Sequence, residues 1–402
     1  MSGSFDVAVI GAGAAGMMCA AVAGQRGRRV VLIDHAERLA EKIRISGGGR
    51  CNFTNREVGP ANFLSANPNF CRSALAGYTP RDFIAMVDRH GIGWHEKHRG
   101  QLFCNDSSEQ IIEMLRRECE LGRVAWRMPC RVDEIGSGEG GFRLSTSEGE
   151  IRAASLVIAT GGMAIPQLGA TDFGLKVARQ FGLKVIEPRP ALVPLTFDAA
   201  HWTGFAGLAG VALEARVATG GKGGGEFLED LLFTHRGLSG PAILQISSYW
   251  QPGEPIVLDL APGLALEAEL KQAKQGGRQQ VAGALGALWP RRLADAWLQA
   301  MSAELPADFA TLRLADAPDR ALRQLAAGIQ AWSLVPSGTA GYKKAEVMRG
   351  GVDTRGLDQK TLQARAVPGL HFIGETVDVT GWLGGYNFQW AWASGVACGR
   401  AV

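Results

Sequence analysis

The segment FDVAVIGAGAAGMMCAAVAGQRGRRVVLIDH, residues 5–35, decides the fold of this chain. Its apolar run Val7–Ile10 is typical of a buried strand, and the run is followed by Gly11, Gly13 and Gly16 in G-x-G-x-x-G spacing. In this spacing the first glycine permits a tight turn, the second lets a pyrophosphate approach the backbone, and the third lets a helix pack against the sheet. The segment therefore predicts a strand, a phosphate-binding turn and a helix.

The end of the same segment supplies an acid suited to a nucleotide site. A second strand, predicted at residues 29–33, ends in Asp34, which follows Gly11 by 23 residues. A carboxylate at this place can accept hydrogen bonds from an adenosine ribose, while the N–H groups of Ala14 and Ala15 at the helix start face the pyrophosphate. The motif in this context predicts dinucleotide binding, and a purely structural glycine turn is the alternative.

Composition limits the class of protein. The chain has 402 residues, more than one compact core usually holds, so we expect two or three structural units. A net charge of +3 does not by itself imply a nucleic-acid partner. The seven cysteines form no C-x-x-C pair and the histidines lack metal-ligand spacing, so we expect no disulfide framework, no metal site and a cytoplasmic location. The uncharged stretch 7–24 contains GAGAAG, so we expect neither a membrane segment nor a signal peptide.

A second glycine-rich loop follows the acid. Lys42 precedes SGGGRCN, residues 46–52, and adjacent glycines indicate that something approaches the main chain closely. Backbone N–H groups and hydroxyls there suit the ribityl and diphosphate part of a long cofactor, FAD. The string SGGGRCNFTN resembles the signature of the BaiN/YhiN-like flavoproteins, which are NAD(P)/FAD-dependent or aminoacetone-oxidase-like oxidoreductases.

The resemblance continues in two later segments. An apolar run at residues 156–159 leads into Thr160-Gly161-Gly162, which completes the string ATGG. Gly374-Glu375 follows a strand predicted at 370–373, ahead of GGYN at 384–387 and an apolar helix to about Cys398. The resemblance implies that Glu375 holds the ribityl chain and that the last helix points its N-terminus at the flavin. The residues expected to bind the cofactor are Gly11, Gly13, Ala14, Ala15, Gly16, Asp34, Lys42, Ser46, Gly47, Gly48, Gly49, Arg50, Cys51, Asn52, Thr160, Gly161, Gly162, Gly374, Glu375, Gly384, Gly385, Tyr386 and Asn387.

These segments lie at the two ends of the chain, which predicts an interrupted domain. We expect residues 1–190 and 336–402 to form one α/β Rossmann-like FAD-binding domain with a parallel sheet. Residues 191–335 contain alternating runs interrupted by glycines and then a stretch with helical spacing, which predict hairpins followed by helices. The resemblance implies a β-barrel-like and helical insert. The glycine cluster 220–225 has no GK[ST] ending, so we expect a hairpin tip instead of a phosphate loop.

Three residues are candidates for catalysis. Cys51 in the RCN string is a candidate acid or redox thiol, with packing under the flavin as the favoured alternative. His235, in a predicted loop ahead of a helix at Pro241, is a proton donor or a helix-start partner, and Lys343 lies where the chain re-enters the FAD domain. His95 and His98 are expected in a solvated turn.

The resemblance implies a flavin-dependent oxidoreductase. We expect hydride transfer from reduced flavin to a conjugated C=C bond of a small molecule, with NAD(P)H as the donor. The alternatives are reduction of uracil in ribosomal RNA to dihydrouridine, or a flavin that is only structural. No second strand–G-x-G-x-x-G–helix unit appears, which argues against a built-in NAD(P)H domain. Arg44, Arg50, Arg72 and Arg99 give basic character without a clear basic and aromatic stripe, and composition does not determine the oligomeric state.

Overall fold

The structure is a computed structural model that describes residues 3–220, 223–275 and 278–402. Its strands are β1 (Gly3–Ile10), β2 (Val30–Ile33), β3 (Asn52–Asn55), β4 (Phe63–Leu64), β5 (Trp94–Glu96), β6 (Gln101–Cys104), β7 (Ala125–Arg127), β8 (Val132–Gly138), β9 (Gly141–Thr146), β10 (Gly149–Ile158), β11 (Val185–Ala191), β12 (Leu195–Thr196), β13 (Ala212–Thr219), β14 (Glu226–Thr234), β15 (Gly237–Ser239), β16 (Ile256–Asp259), β17 (Trp332–Leu334), β18 (Gly338–Thr339), β19 (Val347–Val352), β20 (Leu370–Phe372) and β21 (Thr380–Gly381).

The α-helices alternate with these strands in the first unit and cluster late in the second. They are α1 (Ala14–Gln25), α2 (Glu41–Ile45), α3 (Arg72–Gly77), α4 (Pro80–Arg89), α5 (Glu109–Leu121), α6 (Phe173–Gln180), α7 (Ala199–Ala206), α8 (Pro241–Ser247), α9 (Leu266–Lys274), α10 (Val281–Leu288), α11 (Arg291–Ala300), α12 (Asp319–Gln330) and α13 (Tyr386–Ala401).

The chain divides into two compact units. One comprises Met1–Pro190 and Glu346–Val402, and the other comprises Ala191–Ala345. The sequence analysis expected the chain to return to the first unit at residue 336, whereas it returns at Glu346, ten residues later. The reason is that β18 pairs antiparallel with β12 and so remains part of the second unit's sheet.

The first unit is built on a seven-stranded sheet, in which six strands follow the order β7-β2-β1-β10-β9-β8 and the seventh, β20, pairs with β10. The strands β7, β2, β1 and β10 are parallel, as the G-x-G-x-x-G unit requires. The long strand β10 pairs through its first half with β9 and through its last three residues with β20 in parallel. The sheet therefore joins the N-terminal β-α-β unit to the C-terminal segment, and the predicted Rossmann-like architecture is confirmed.

Glycines allow helix α1 to pack closely on its neighbours. A Cβ on Gly395 of α13 would lie 2.7 Å from the carbonyl oxygen of Ala15, and one on Gly24 would lie 2.4 Å from that of Gly122 at the end of α5. Both distances are below any normal Cβ contact, so these backbones touch directly. This packing fixes the N-terminus of α1 relative to α13.

Small sheets add the loops of the first unit. The strands β3, β6 and β5 form a three-stranded antiparallel sheet beside the glycine-rich loop, and β21 pairs with β4. These pairings connect residues 52–64 with the C-terminal segment 380–381. They bring the second glycine-rich loop and the GGYN turn into one region.

The second unit contains a seven-stranded antiparallel sheet in the order β17-β16-β13-β14-β15-β12-β18. Consecutive strands β13, β14 and β15 are neighbours, which agrees with the predicted hairpins. The cluster 220–225 lies between Thr219 and Glu226, the ends of paired strands, and its residues 221 and 222 are outside the described residues. Within the described ranges, no helix has the length and apolar character needed to cross a membrane.

Candidate functional site

The first element of the site is the turn between β1 and α1. A Cβ on Gly16 would lie 1.8 Å from the carbonyl oxygen of Gly11, so this glycine is required by packing within the turn. By contrast, apart from Gly13 and its two neighbours in the chain, no atom of the described residues lies within 4 Å of a Cβ built on Gly13. Helix α1 begins at Ala14 with no side-chain cap and no acid in its first turn. The turn therefore presents open space next to uncapped N–H groups at the positive end of a helix dipole.

Asp34 reaches this turn from the end of β2. Its Oδ2 accepts a hydrogen bond from the N–H of Ala12 at 2.7 Å, and its Oδ1 accepts one from the N–H of Ala36 at 2.9 Å. Each carboxylate oxygen has further lone pairs, and the side chain is partly exposed. The acid thus fixes the turn and retains acceptor capacity for a hydroxyl group.

The second glycine-rich loop follows α2 directly. Gly47, Gly48 and Gly49 have φ values of 57°, 66° and 84°, which residues with a side chain rarely adopt. No atom of the described part of the chain lies within 4 Å of a Cβ built on Gly48 or Gly49, whereas one on Gly47 would press on the ring of Phe103. The N–H of Cys51 closes the loop on the carbonyl of Ser46 at 3.0 Å. The three glycines therefore form a left-handed turn of bare backbone that a ligand can approach.

The residues after the glycines have different environments. The Arg50 side chain is exposed, whereas Cys51 is fully buried. Burial raises the pKa of the Cys51 thiol far above its ordinary value, although a hydrogen bond with Ser46 partly offsets this effect. A thiol in this state is protonated and shielded, which favours the packing role. The Asn52 side chain is oriented so that its amide nitrogen donates to the carbonyl groups of Thr54 and Leu102 and its oxygen accepts from the N–H of Gly385 at 3.3 Å. Asn52 thereby links this loop to the GGYN turn.

An ion pair connects the loop region with the C-terminal segment. Lys42 Nζ lies 2.7 Å from Glu375 Oε2, and the N–H of Met348 donates to Glu375 Oε1 at 2.7 Å. A Cβ on Gly162 would lie 2.7 Å from the same Oε1, so the ATGG segment packs on this carboxylate. The Thr376 hydroxyl donates to the carbonyl of Gly161 at 3.0 Å. Three segments far apart in sequence therefore meet at Glu375.

Thr160 in the ATGG segment is the clearest indication of a polar ligand. Its Oγ1 is buried and has no hydrogen-bond partner within the described ranges. A buried hydroxyl left without a partner costs free energy, so it normally has a protein, water or ligand partner. The atom also lies against Gly174, whose Cβ would come within 2.6 Å of it.

The GGYN turn is shaped by its contacts with β3. Gly384 and Gly385 have φ values of 112° and 93°, and a Cβ on Gly385 would lie 2.4 Å from the carbonyl of Thr54. The Asn387 amide accepts from the N–H of Gly381 at 2.8 Å and donates to its carbonyl at 2.9 Å. Both ends of this amide are engaged, so Asn387 holds the turn. Helix α13 begins at the next residue after the glycine pair, Tyr386.

Asn55 is a residue of this region that the sequence analysis did not single out, although it ends the quoted string SGGGRCNFTN. Its Nδ2 donates to the carbonyl of Gly384 at 3.1 Å and to that of Arg99 at 3.0 Å. A buried asparagine after a glycine-rich loop is a signal for backbone bridging, because its amide donates two hydrogen bonds. Asn55 therefore connects the GGYN turn with an exposed loop of the small sheet.

The two remaining catalytic candidates lie in the second unit. The predicted loop around His235 is a hairpin, in which Thr234 of β14 pairs with Gly237 of β15 and the His235 side chain is exposed at the tip. Short-range antiparallel pairing replaces the expected loop. Lys343 is exposed in the turn after β18.

The turn after β1, the second glycine-rich loop, the ATGG segment, Glu375 and the GGYN turn all belong to the first unit, where the contacts given above link them. Uncapped helix amides, an acid at the end of β2, a bare glycine turn and an orphaned hydroxyl fit a long, phosphate-bearing ligand such as FAD. Among the described residues, no group of three or more His, Cys, Asp or Glu side chains is arranged to hold a metal ion.

Comparison with known proteins shows the family and the fold of the chain. The family model described as the HI0933-like protein Rossmann domain matches residues 5–401. The chain is 49% identical to the ribosomal RNA dihydrouridine synthase of Escherichia coli (strain K12), over 98% of this chain and 97% of that protein. It is 29% identical to the 3-dehydro-bile acid delta(4,6)-reductase of Clostridium scindens, over 98% of each chain. The Mycobacterium smegmatis Sdh1 complex has a similar fold, with a TM-score of 0.51 and 17% identity over 99% of this chain and 68% of that one.

Proposed function

This chain belongs to the HI0933-like family of FAD-binding oxidoreductases, and from that premise we propose that it reduces uracil in ribosomal RNA to dihydrouracil. The observation that carries the proposal is the 49% identity, over nearly the full length of both chains, to a protein of that name. The sequence analysis gave this substrate as the alternative to a small molecule. A ribosomal RNA substrate is consistent with the expected cytoplasmic location.

The proposed reaction defines what the site must do. Reduction of uracil adds two hydrogens across the C5=C6 bond, which is conjugated with the C4 carbonyl. Hydride goes to one carbon, and a proton goes to the other. FAD, when bound, supplies the hydride chemistry, and the protein supplies binding, orientation and the proton. The site must therefore bind a long cofactor firmly and admit a base that is not stacked in a duplex.

We assign the cofactor contacts to the backbone-rich elements of the first unit. The first-turn amides of α1, with the open space at Gly13, would hold the pyrophosphate, and Asp34 would accept from a ribose hydroxyl. The paired Lys42 and Glu375, with the Thr160 hydroxyl, would hold the polar chain of the cofactor. The N-terminus of α13 would stabilise negative charge on the ligand through its dipole.

The residue that donates the proton is assigned separately from the residues that bind the cofactor. Cys51 is buried and its thiol is held in the neutral form, so its surroundings favour packing. His235 and Lys343 are exposed residues of the second unit, and their side chains are of the types used in general acid catalysis. We propose His235 as the first residue to test, with His235→Gln as the variant that keeps size and polarity.

The experiment that tests the function measures dihydrouridine directly. Purified protein loaded with FAD is incubated without oxygen with ribosomal RNA from cells that lack the enzyme, and with NADPH or NADH. The RNA is then digested to nucleosides, and dihydrouridine is measured by mass spectrometry. We expect dihydrouridine at a defined position and bleaching of the flavin by at least one nicotinamide donor. Flavin that is bleached while the RNA contains no dihydrouridine would refute the RNA assignment.

The identity to the bile acid reductase favours a second candidate, the reduction of a small conjugated enone. Both candidate substrates present a C=C bond conjugated with a carbonyl group, so the same cofactor chemistry serves either. The same assay with an unsaturated ketosteroid in place of RNA distinguishes the two. Turnover of the steroid with no dihydrouridine formation would replace the RNA proposal by this one.

A further inference from the structure

Glu346 is an exposed acid within a buried run of residues at the start of β19. Its neighbours Ala345, Val347 and Met348 are buried, whereas Glu346 itself is exposed. In the part of the chain that the structure describes, its carboxyl group has neither a hydrogen bond nor an ion pair. The acid therefore has no role in holding the fold and is available to a ligand.

Glu346 lies beside the contacts that join three segments of the first unit. Two residues further along the strand, the N–H of Met348 donates to Glu375 Oε1 at 2.7 Å. Glu375 Oε2 lies 2.7 Å from Lys42 Nζ, and the charge of Lys42 also acts on Glu346. The ammonium group is therefore near two acids, and it is paired with Glu375. Because this pair is proposed to hold the polar chain of the cofactor, Glu346 borders the proposed cofactor site.

The Glu346 carboxyl group is poorly hydrated although it has open surface. The loss of water to the surrounding protein raises its pKa, and the Lys42 ammonium group offsets only part of this effect. The exposed Lys343 and Lys344 precede Glu346 in the chain and carry the same charge as Lys42. A group that solvent reaches but hydrates weakly lies in a recess, and a carboxyl group there keeps its proton at higher pH than a surface acid does. Such an acid beside a cofactor site is a candidate functional group.

The proposed reaction needs a hydrogen-bond donor for the substrate carbonyl group. When hydride adds to C6 of uracil, the reduced cofactor is oxidised and the electron pair of the C5=C6 bond moves onto C5 and the C4 oxygen. A donor at that oxygen stabilises the transition state more than the bound substrate, because the negative charge develops during the reaction. The proton then adds at C5, and the donor keeps its own proton. A neutral carboxyl group in a poorly hydrated site is suited to this task.

We propose that the Glu346 carboxyl group donates a hydrogen bond to the carbonyl oxygen that is conjugated with the C=C bond to be reduced. This inference rests on the proposed function and adds a residue that activates the acceptor. The role differs from that of His235, which was assigned to deliver the proton to carbon. It applies to either candidate acceptor, because uracil and an unsaturated ketosteroid both present such a carbonyl group.

The test separates the reaction of the acceptor from the binding of the cofactor. The proteins are wild type, Glu346→Gln, Glu346→Ala and the matched control Glu139→Gln, which removes an exposed acid between β8 and β9. Each FAD-loaded protein is reduced without oxygen by one equivalent of dithionite. Stopped-flow absorbance then gives the rate at which ribosomal RNA reoxidises the flavin, or the ketosteroid if the wild type reduces that instead. Flavin fluorescence gives the FAD affinity, and thermal unfolding shows that each variant is folded.

We expect reoxidation by the acceptor to be about 100-fold slower in Glu346→Ala, because the loss of one donor to a developing oxyanion has an effect of this size. Glu346→Gln keeps an N–H donor and should be slowed by about tenfold. The ratio of the wild-type rate to the Glu346→Gln rate should fall as the pH rises, because ionisation of the carboxyl group removes its donor. The control should react at the wild-type rate, and FAD affinity should be unchanged in every variant.

Several results would overturn this inference. They are a wild-type rate in Glu346→Ala, an equal loss in the control, a loss of FAD affinity that accounts for the slower reaction, or a rate ratio that rises with pH. Failure of the proposed function is distinguishable from these, since the wild type would then reduce the ketosteroid and form no dihydrouridine in ribosomal RNA. Reoxidation by neither acceptor would overturn both.

Discussion

Two glycines of the first turn should respond oppositely to the same substitution. A Cβ at Gly13 would enter open space, and the backbone there (φ −86°, ψ −166°) suits any residue. A Cβ at Gly16 would lie 1.8 Å from the carbonyl oxygen of Gly11. If the open space at Gly13 is kept for the cofactor, Gly13→Ala impairs only cofactor binding, whereas Gly16→Ala impairs folding itself.

The magnitudes follow from these distances. Gly13→Ala should leave the cofactor-free protein as stable as wild type or stabilise it by about 0.5 kcal/mol, because alanine restricts the unfolded chain. A methyl group at the closest approach of the ligand should cost about 2.7 kcal/mol, or about 100-fold in FAD affinity. At FAD equal to 100 times the wild-type Kd, the stabilisation by FAD should fall from about 2.7 to about 0.4 kcal/mol. Gly16→Ala should destabilise the cofactor-free protein by about 1–3 kcal/mol or more.

Urea unfolding of both variants, with and without FAD, measures these quantities, and flavin fluorescence gives the Kd. The two variants control for one another, since they add the same methyl group three residues apart. Wild-type FAD affinity in Gly13→Ala would refute the assignment of the open space to the cofactor. Wild-type stability of cofactor-free Gly16→Ala would refute the packing argument.

Three further predictions concern stability. Lys42→Met should lower the free energy of unfolding by about 1–2 kcal/mol, because Glu375 loses a charged donor. Lys42→Arg keeps the charge and should retain most of this stability. Equal losses for the two variants in urea unfolding would contradict the ion-pair argument. Burial raises the pKa of Cys104 to about 12, so the thiol ionises at lower pH in the unfolded chain than in the folded protein. The free energy of unfolding of the wild type should therefore fall by about 1.4 kcal/mol more than that of Cys104→Ala between pH 8 and pH 10. An equal fall in the two proteins would contradict this. Burial alone would raise the pKa of Glu118, but hydrogen bonds with His90 and Gln25 outweigh this effect and hold the pKa below its ordinary value. The charged form therefore stabilises the fold above about pH 4.5, and this stability is lost as the pH falls further. Glu118→Gln should therefore cost about 1–2 kcal/mol at pH 7 and little at pH 3, and a pH-independent difference would argue against the charge.

The parts of the fold that the sequence predicted are those set by local chemistry. The strand before the G-x-G-x-x-G turn, the helix after it and the acid at the end of β2 are contiguous, and each has its own residue signature. The positive φ values of Gly47, Gly48 and Gly49 explain why three glycines are adjacent, since any side chain would be strained there. Local backbone demands of this kind can be read from one sequence.

The parts that the sequence did not predict depend on partners far along the chain. The return to the first unit was placed ten residues too early because β18 owes its pairing to β12, more than a hundred residues before it. The ion pair of Lys42 with Glu375 likewise joins residues 333 positions apart. Such pairings carry no periodic signal, and their geometry follows only from how the sheets assemble.

Cofactor binding and substrate recognition are unequally predictable from the sequence. The proposed cofactor contacts are mostly backbone N–H groups and glycine surfaces, which need fixed residue types at fixed spacing and so leave a motif. Recognition of a substrate uses exposed side chains, and different residues on different strands can present the same charges and rings. It therefore leaves no fixed spacing in the sequence, which is why the cofactor could be inferred from motifs and the acceptor could not.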